Sequence, residues 1–566
     1  MVVHRFLLTV ICMLCIFRVS HAADPTPDVP LLHPVYGVLD RFEARGWFDT
    51  PLSQTRPFSR KGVARRLLYV FRQLDAGRSM SRTERGILER YSAEFSVELE
   101  GLGYGARGGG DDTWVGRALS GGNLYVWRDS VASVAIDPLF RQSVLGFRGD
   151  GPRRERVSQT YVGGILRGTF HDRFGFRIRH FEAREWSNGG RNSRQDVVAR
   201  PIEDVQLKGS FADFREATFQ LVWAMPWLSV DVGKGRLDWG PGRTGNLMLT
   251  DHAPPFALIR LRVAYKRIRY VHLAGELRAR LDAIDTTRIW IDNGHVRSFL
   301  RPKRLAAHRL EFLLSKRVQV GLQEAVVYAD RGFELLYVTP VTALVAVQNH
   351  LGNRDNLGMG ADLSVRPTDR VQVYGALFLD DLQKFSPGSF ANKFAFQAGV
   401  FWVDPVPDTD VRIEFVHLEP FVYSHNFQIN TYEHYDALLG YATGPNADRF
   451  VVQVEHRFSP SFSASLRIDR ERQGENIRNP DGSLTNVGGD AALGRRPDDP
   501  RVRDFLSGEV ERRTQLDVGL RLEPVRDLVF RAGFRTTGAD HVVFPDGIRR
   551  DGRSFRWSFR ADFNFF

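Results

Sequence analysis

Cysteine is nearly absent: in 566 residues there are two, Cys12 and Cys15, and both fall inside one apolar run, Phe6 to Phe17. That run follows His4 and Arg5 and precedes Ser20-His21-Ala22, whose small residues predict signal-peptide cleavage after Ala22. Neither cysteine has the small residue before it that lipid attachment requires. The expected mature chain therefore has no cysteine, which excludes disulfides, thiol catalysis and thiolate metal sites. Equally lacking is any other stretch approaching about 18 consecutive apolar residues, so no helix is expected to cross a membrane. Loss of Arg5 and Arg18 with the leader lowers the formal charge from +11 to +9. Mean hydropathy is negative although aromatic content is high, a balance expected when only alternate residues of a strand meet lipid.

What is present is a long series of alternating segments. From Ser554 onward Phe555, Trp557, Phe559, Ala561, Phe563 and Phe565 share one face, with Arg556, Ser558, Arg560, Asp562 and Asn564 on the other. This parity sets Phe565 toward lipid and Phe566 toward the polar side. Phe174, Phe176 and Ile178 alternate with Gly175, Arg177 and Arg179, and Leu516 to Leu522 with Asp517 to Glu523, in the same way. The arginine-bearing face is assigned to the lumen, because a charge at the lipid midplane costs about 2–4 kcal/mol.

The connections alternate as well. Short ones are expected at His171–Arg173, Ala224–Pro226, Lys266–Arg267, Lys316–Arg317, Pro367–Asp369, Asp404–Asp408, Ser459–Pro460 and Pro524–Asp527. Long ones fall at about 185–213, 239–256, 281–308, 329–356, 381–392, 424–448, 472–510 and 539–553. Eight hairpins, a closing strand at 554–565 and an opening strand within 122–136 predict an all-β chain, a large transmembrane antiparallel barrel of about 18 strands. Short turns and both chain ends are expected in the periplasm.

Residues 23–96 read differently, as a small α-helical region on the periplasmic side, between a signal peptide at 1–22 and the barrel at 97–566. A short helix is expected from Pro34 to Ala44. Ser59 caps a second, running to Leu74 with Gly77 as its stop, and Ser81 with Glu84 forms a capping-box pattern for a third. Three short amphipathic helices make too little core to stand alone, so they are expected to pack against or under the barrel.

Motifs for chemistry are sparse. Gly240-Pro241-Gly242-Arg243-Thr244-Gly245 matches a dinucleotide pattern, but Pro254 and Pro255 follow instead of a helix, and no βαβ unit surrounds it. The glycines read as a tightly turning loop that brings backbone close to something. His350, His425 and His434 lack metal-like spacing, and Asp380 with Asp381, though adjacent carboxylates, read as ion-pairing or sugar-bonding groups rather than a hydrolytic pair. No serine sits in a nucleophile-elbow sequence. No enzyme activity, cofactor or nucleic-acid partner is expected; the basic balance reads first as inward arginines paired with carboxylates, and surplus positive charge in loops and lumen also suits acidic polysaccharide or lipid phosphate.

Three segments go beyond architecture. They are Gly233 to Gly242 continuing to Asn246-Leu247 and Ala253-Pro254-Pro255; Glu324 to Tyr328 with Tyr337 and Pro340; and Gln348 to Asn356 followed by Asp380-Asp381. Together with Pro420 to His425, Leu439-Gly440 and Gly444-Pro445, they resemble the capsule-assembly outer-membrane proteins of the Wzi type. The resemblance implies an outer-membrane lectin: an occluded barrel that binds capsular or extracellular polysaccharide, amid outer-membrane lipids and lipopolysaccharide, without transporting or cutting the polymer. Its candidate site residues are Trp239 for stacking on a sugar face, Asn349, Asn353, Asp355 and Asn356 for hydroxyl hydrogen bonds, Arg243 and Arg354 for acidic groups, and Asp380 and Asp381. An open porin for small solutes is the alternative such a barrel allows.

Overall fold

The computed structural model describes residues 24–105, 123–149, 154–188, 204–208, 211–293, 295–382, 392–499, 501, 503–543 and 549–565. Eighteen long antiparallel strands close into one barrel, each hydrogen-bonded to its neighbours. All eight short turns fall where the alternation breaks. A two-residue turn, Lys266–Arg267, joins Phe256–Tyr265 to Ile268–Arg278, with Lys266 at φ 49°. Ile178, Val518 and Trp557 are exposed on the outside, while Arg179 and Asp562 are buried on the inside, as the parity of their strands requires.

Two sequence expectations are corrected at the seam. The opening strand is Ala132–Arg148, not a segment within 122–136; Phe555 pairs with Arg148 and Phe563 with Phe140 to close the barrel. Residues Tyr125–Arg128 instead double back on Ser133–Ile136, because Asp129 Oδ1 accepts from the backbone N–H groups of Val131 and Ala132 at 2.7 Å each and reverses the chain. Pro138 lies inside this strand. The second correction concerns Phe565. Asn564 adopts φ 52°, which breaks the alternation and turns the Phe565 ring inward. There it packs on Phe181, Phe214 and Tyr161 beneath the Arg141 guanidinium.

Helices α1 (Val35–Ala44), α2 (Arg60–Asp75), α3 (Arg82–Glu94) and α4 (Ser96–Glu100) lie at the short-turn end. Their starts follow from local chemistry: Ser59 accepts from Gly62 N, and Ser81 and Glu84 exchange both capping-box bonds. Val63, Leu67, Phe42, Leu88 and Phe95 form their shared core. The bundle is bolted to the turns. Arg41 pairs with Asp404 and Asp410, Ser81 Oγ bonds Asp408, and Arg90 bonds Glu523 O and Ser461 Oγ.

The segments before α1 and between α1 and α2 enter the lumen, where inward charges receive them. Asp28 is held by Arg260 and Arg262, and Glu311 accepts from Gln54 N at 3.0 Å and Thr55 Oγ1 at 2.9 Å. Arg309, fully buried, bonds Thr55 Oγ1 and pairs with Asp362. At the centre Thr55–Arg56 forms a two-stranded sheet with Asp238–Trp239, a loop descending from the opposite end. The barrel is filled by its own chain from both sides.

Candidate functional site

The long-loop end is built on the glycine-rich loop, which folds down into the lumen. Gly240 sits at φ 140°, and a Cβ there would lie 2.2 Å from Asn246 Oδ1; one on Gly242 would lie 2.3 Å from Gln397 Nε2. The close approach expected of these glycines is to the chain itself. Asn246 accepts from Gly242 N at 2.9 Å and donates to Asp238 at 2.6 Å. Arg243 grips Asp40 of α1 through Nε at 2.8 Å and Nη2 at 3.2 Å, while its own N–H and that of Thr244 donate to Glu414 at 2.8 and 2.9 Å.

Trp239 is 1% exposed, in a core with Leu247, Leu249, Tyr423, Tyr432 and Tyr441. Neither face of its ring is open for stacking. Arg243 and Trp239 thus sit together in the plug and away from the outer surface.

The segment 349–356 divides into an exposed half and a buried half. Helix α6 (Leu344–His350) ends there, after the short α5 (Leu335–Val338). Gly352 and Asn353, both at positive φ, turn the chain into the strand Asn356–Thr368. Asn349, Asn353 and Arg354 are exposed. Asp355, 2% exposed, accepts from Arg331 Nη2 at 2.6 Å and from the Tyr337 hydroxyl at 2.8 Å. Asn356 donates to Asn430 O at 2.9 Å, and Asn430 Nδ2 donates to Arg354 O at 3.0 Å.

This double clasp sets Arg354 against the turn 425–430, whose outward side carries Asn426, Gln428 and Phe427, 58% exposed. A half-open ring amid exposed amides and one guanidinium is chemistry that stacks on a sugar face and bridges hydroxyl or carboxylate groups. Burial, then the charge of Lys393, pushes His425 down to about 4, and its Nδ1 accepts from Phe427 N at 3.1 Å, so it positions the turn as a neutral ring. His434 is buried and accepts from Arg278 N at 2.9 Å.

Asp380 braces the same turn from below: it accepts from Tyr423 N at 2.6 Å, with Lys393 Nζ at 3.6 Å. Asp381 pairs by backbone with Lys393, and its side chain lies outside the described residues. The structure therefore brings Asn353 and Arg354 together with Asn426, Phe427 and Gln428. Sequence reasoning missed the last three. The one signal for them was an aromatic residue between amides in a stretch with no strand parity.

Residues 186–547 match the family model described as capsule assembly protein Wzi. Among solved structures the chain is similar to Wzi of Escherichia coli, described as an outer membrane protein involved in group 1 capsule assembly and a carbohydrate-binding β-barrel. That likeness has 12% identity and a TM-score of 0.53, covering 94% of this chain and 98% of that one. It is also similar to OprD from Pseudomonas aeruginosa, with 11% identity and a TM-score of 0.40 over 76% of this chain and 94% of that one. OccAB4 of Acinetobacter baumannii stands at 9% and 0.40, over 77% and 98%. No curated protein sequence matches.

Proposed function

The chain belongs to the capsule assembly protein Wzi family, and on that premise we propose that it is an outer-membrane lectin holding capsular or extracellular polysaccharide at the cell surface. In this reading the short turns and the helical bundle face the periplasm and the long loops face outward. The observation that carries it is the pairing of Thr55–Arg56 with Asp238–Trp239 across the lumen. Among the described residues that sheet lies across the lumen and obstructs a polymer's passage, which favours recognition at the outer loops over conduction by an open porin. Nor does the reading assign a catalytic step, since Asp380 and Asp355 are engaged as braces.

We assign the glycan contact to Asn353, Arg354, Asn426, Phe427 and Gln428. A single neutral hydrogen bond contributes only about 0.5–1.5 kcal/mol and one to a charged group about 1.5–3, so the test removes the cation and the ring together. The Arg354→Ala/Phe427→Ala variant, folded by heat-modifiable gel mobility, is expected to lose most cell-associated polysaccharide. Retention equal to the parent would sink the assignment. Large stable openings of the parent in planar bilayers would favour the porin instead.

A further inference from the structure

The segment after Ala329 does not stand above the barrel; it folds back along the outside of the wall. Strand parity establishes this. Arg309 and Glu311 point inward to the plug, so Ala306, His308 and Leu310 on the same strand point outward. Gln319 and Gln323 point inward, so Leu322, Glu324, Val326 and Tyr328 point outward. Arg269 reaches inward to Leu52 O, so Tyr270 and His272 point outward.

On this outer face His272, His308 and Glu324 lie directly opposite one another on three neighbouring strands, with His308 Nε2 3.4 Å from Glu324. Such a polar row belongs poorly in a lipid-facing wall, where ionisable side chains are costly and rare. Yet His272 is buried, with α5 packed on its strand and α6 on the strand of Glu324. Tyr270 OH donates to Pro340 O, Glu324 accepts from Leu344 N at 2.7 Å, and Tyr337, Leu344 and Val347 pack on the outward Ala306, Val326 and Tyr328.

The other side of this segment is apolar. Leu335 is 76% exposed and Val341 61%, with Phe333 and Leu336 also exposed. From Leu335 to Asn353 there is no Asp, Glu, Lys or Arg. The patch is continuous with the exposed lipid-side residues Ile268, Leu310, Leu322 and Met359 of the strands it lies on. We propose that residues 333–347 form a membrane strap. Its outer surface meets the acyl chains of the bilayer, and its inner surface shields the His272–His308–Glu324 row from them.

This proposal does not depend on glycan binding. The absence of cysteine beyond Cys15 makes the test direct. Leu335→Cys, Val341→Cys and, as an aqueous reference, Asp481→Cys are made in the chain from residue 23, labelled with an environment-sensitive fluorophore and reconstituted into phosphatidylcholine vesicles. Folding is checked by gel mobility, and either strap position alone decides. The strap labels are expected to emit to the blue of the Asp481 label, to be quenched several-fold more by doxyl-labelled acyl chains, and to resist aqueous iodide. Iodide quenching equal to that of the reference would overturn the proposal. So would insensitivity to doxyl lipid accompanied by Leu335→Cys cross-links between copies, which would make the patch a subunit interface.

Discussion

Arg243, in a loop from the long-turn end, and Asp40, on a helix from the short-turn end, meet inside the barrel through two hydrogen bonds of 2.8 and 3.2 Å. One ion pair thus joins the two halves of the plug. Arg56 shares the same carboxylate, so three segments depend on Asp40. Removing one partner of a buried pair leaves the other charge unpaired and costs about 3–5 kcal/mol. Asp40→Ala is therefore expected to lower the thermal transition of the folded form markedly, while Asp40→Ala/Arg243→Met recovers part of the loss. A double-mutant cycle by heat-modifiable mobility checks the coupling.

The same carboxylate sets an acid limit. Burial alone would raise its pKa, but the guanidiniums of Arg243 and Arg56 outweigh burial and hold it at about 2. Because the folded-state value lies below the unfolded one, ionised Asp40 favours the docked plug. This contribution, about 2 kcal/mol, is complete above about pH 4 and is lost as pH falls through 2. Unfolding or leak that begins between those values, and shifts upward in Arg243→Met, is the expected outcome.

Trp239→Ala separates core packing from ligand stacking. The buried ring leaves a cavity on truncation, at a cost of about 3–5 kcal/mol. A large drop in stability is expected, whereas Trp239→Phe is expected to keep both stability and polysaccharide retention near parental levels. Normal stability with lost retention in Trp239→Phe would return the ring to the binding surface.

Asp355→Asn is expected to act on loop order rather than on recognition itself. It removes the charge that Arg331 Nη2 meets at 2.6 Å and weakens the bond from Tyr337. Faster proteolysis within 349–355, with glycan retention falling only as that turn loosens, is the outcome to look for. Arg354→Ala is expected to show the reverse: intact proteolytic resistance and reduced retention.

Deletion of residues 24–96, proposed as a unit separable from the barrel, removes Asp28, Gln54 and Thr55, so that Arg260 keeps only Asp231 of its two carboxylates and Glu311 loses its bonds to Gln54 and Thr55. We expect a barrel that still inserts, is less stable and conducts in planar bilayers. Failure to insert into liposomes would show that the bundle belongs to the barrel's own folding unit.

The sequence by itself determined what depends on neighbours along the chain. Period-two alternation, the eight short turns, the Ser59 cap and the Ser81–Glu84 capping box were legible because each is specified within a few residues. The eighteen strands and their inward face followed from the same parity. Tertiary structure decided the rest. Whether Trp239 met solvent or a core depended on segments some 180 residues away, Tyr423 and Tyr441 among them, folding over it. Whether Asp355 bonded a ligand or Arg331 depended on how the segment after Ala329 lay against the wall. The face of Phe565 turned on one backbone angle at Asn564, which residue type alone does not set. An apolar stretch such as 335–347 carries no strand parity, so in sequence it reads as part of a loop. Only the outward row of His272, His308 and Glu324, assembled from three strands, gave it a surface to cover.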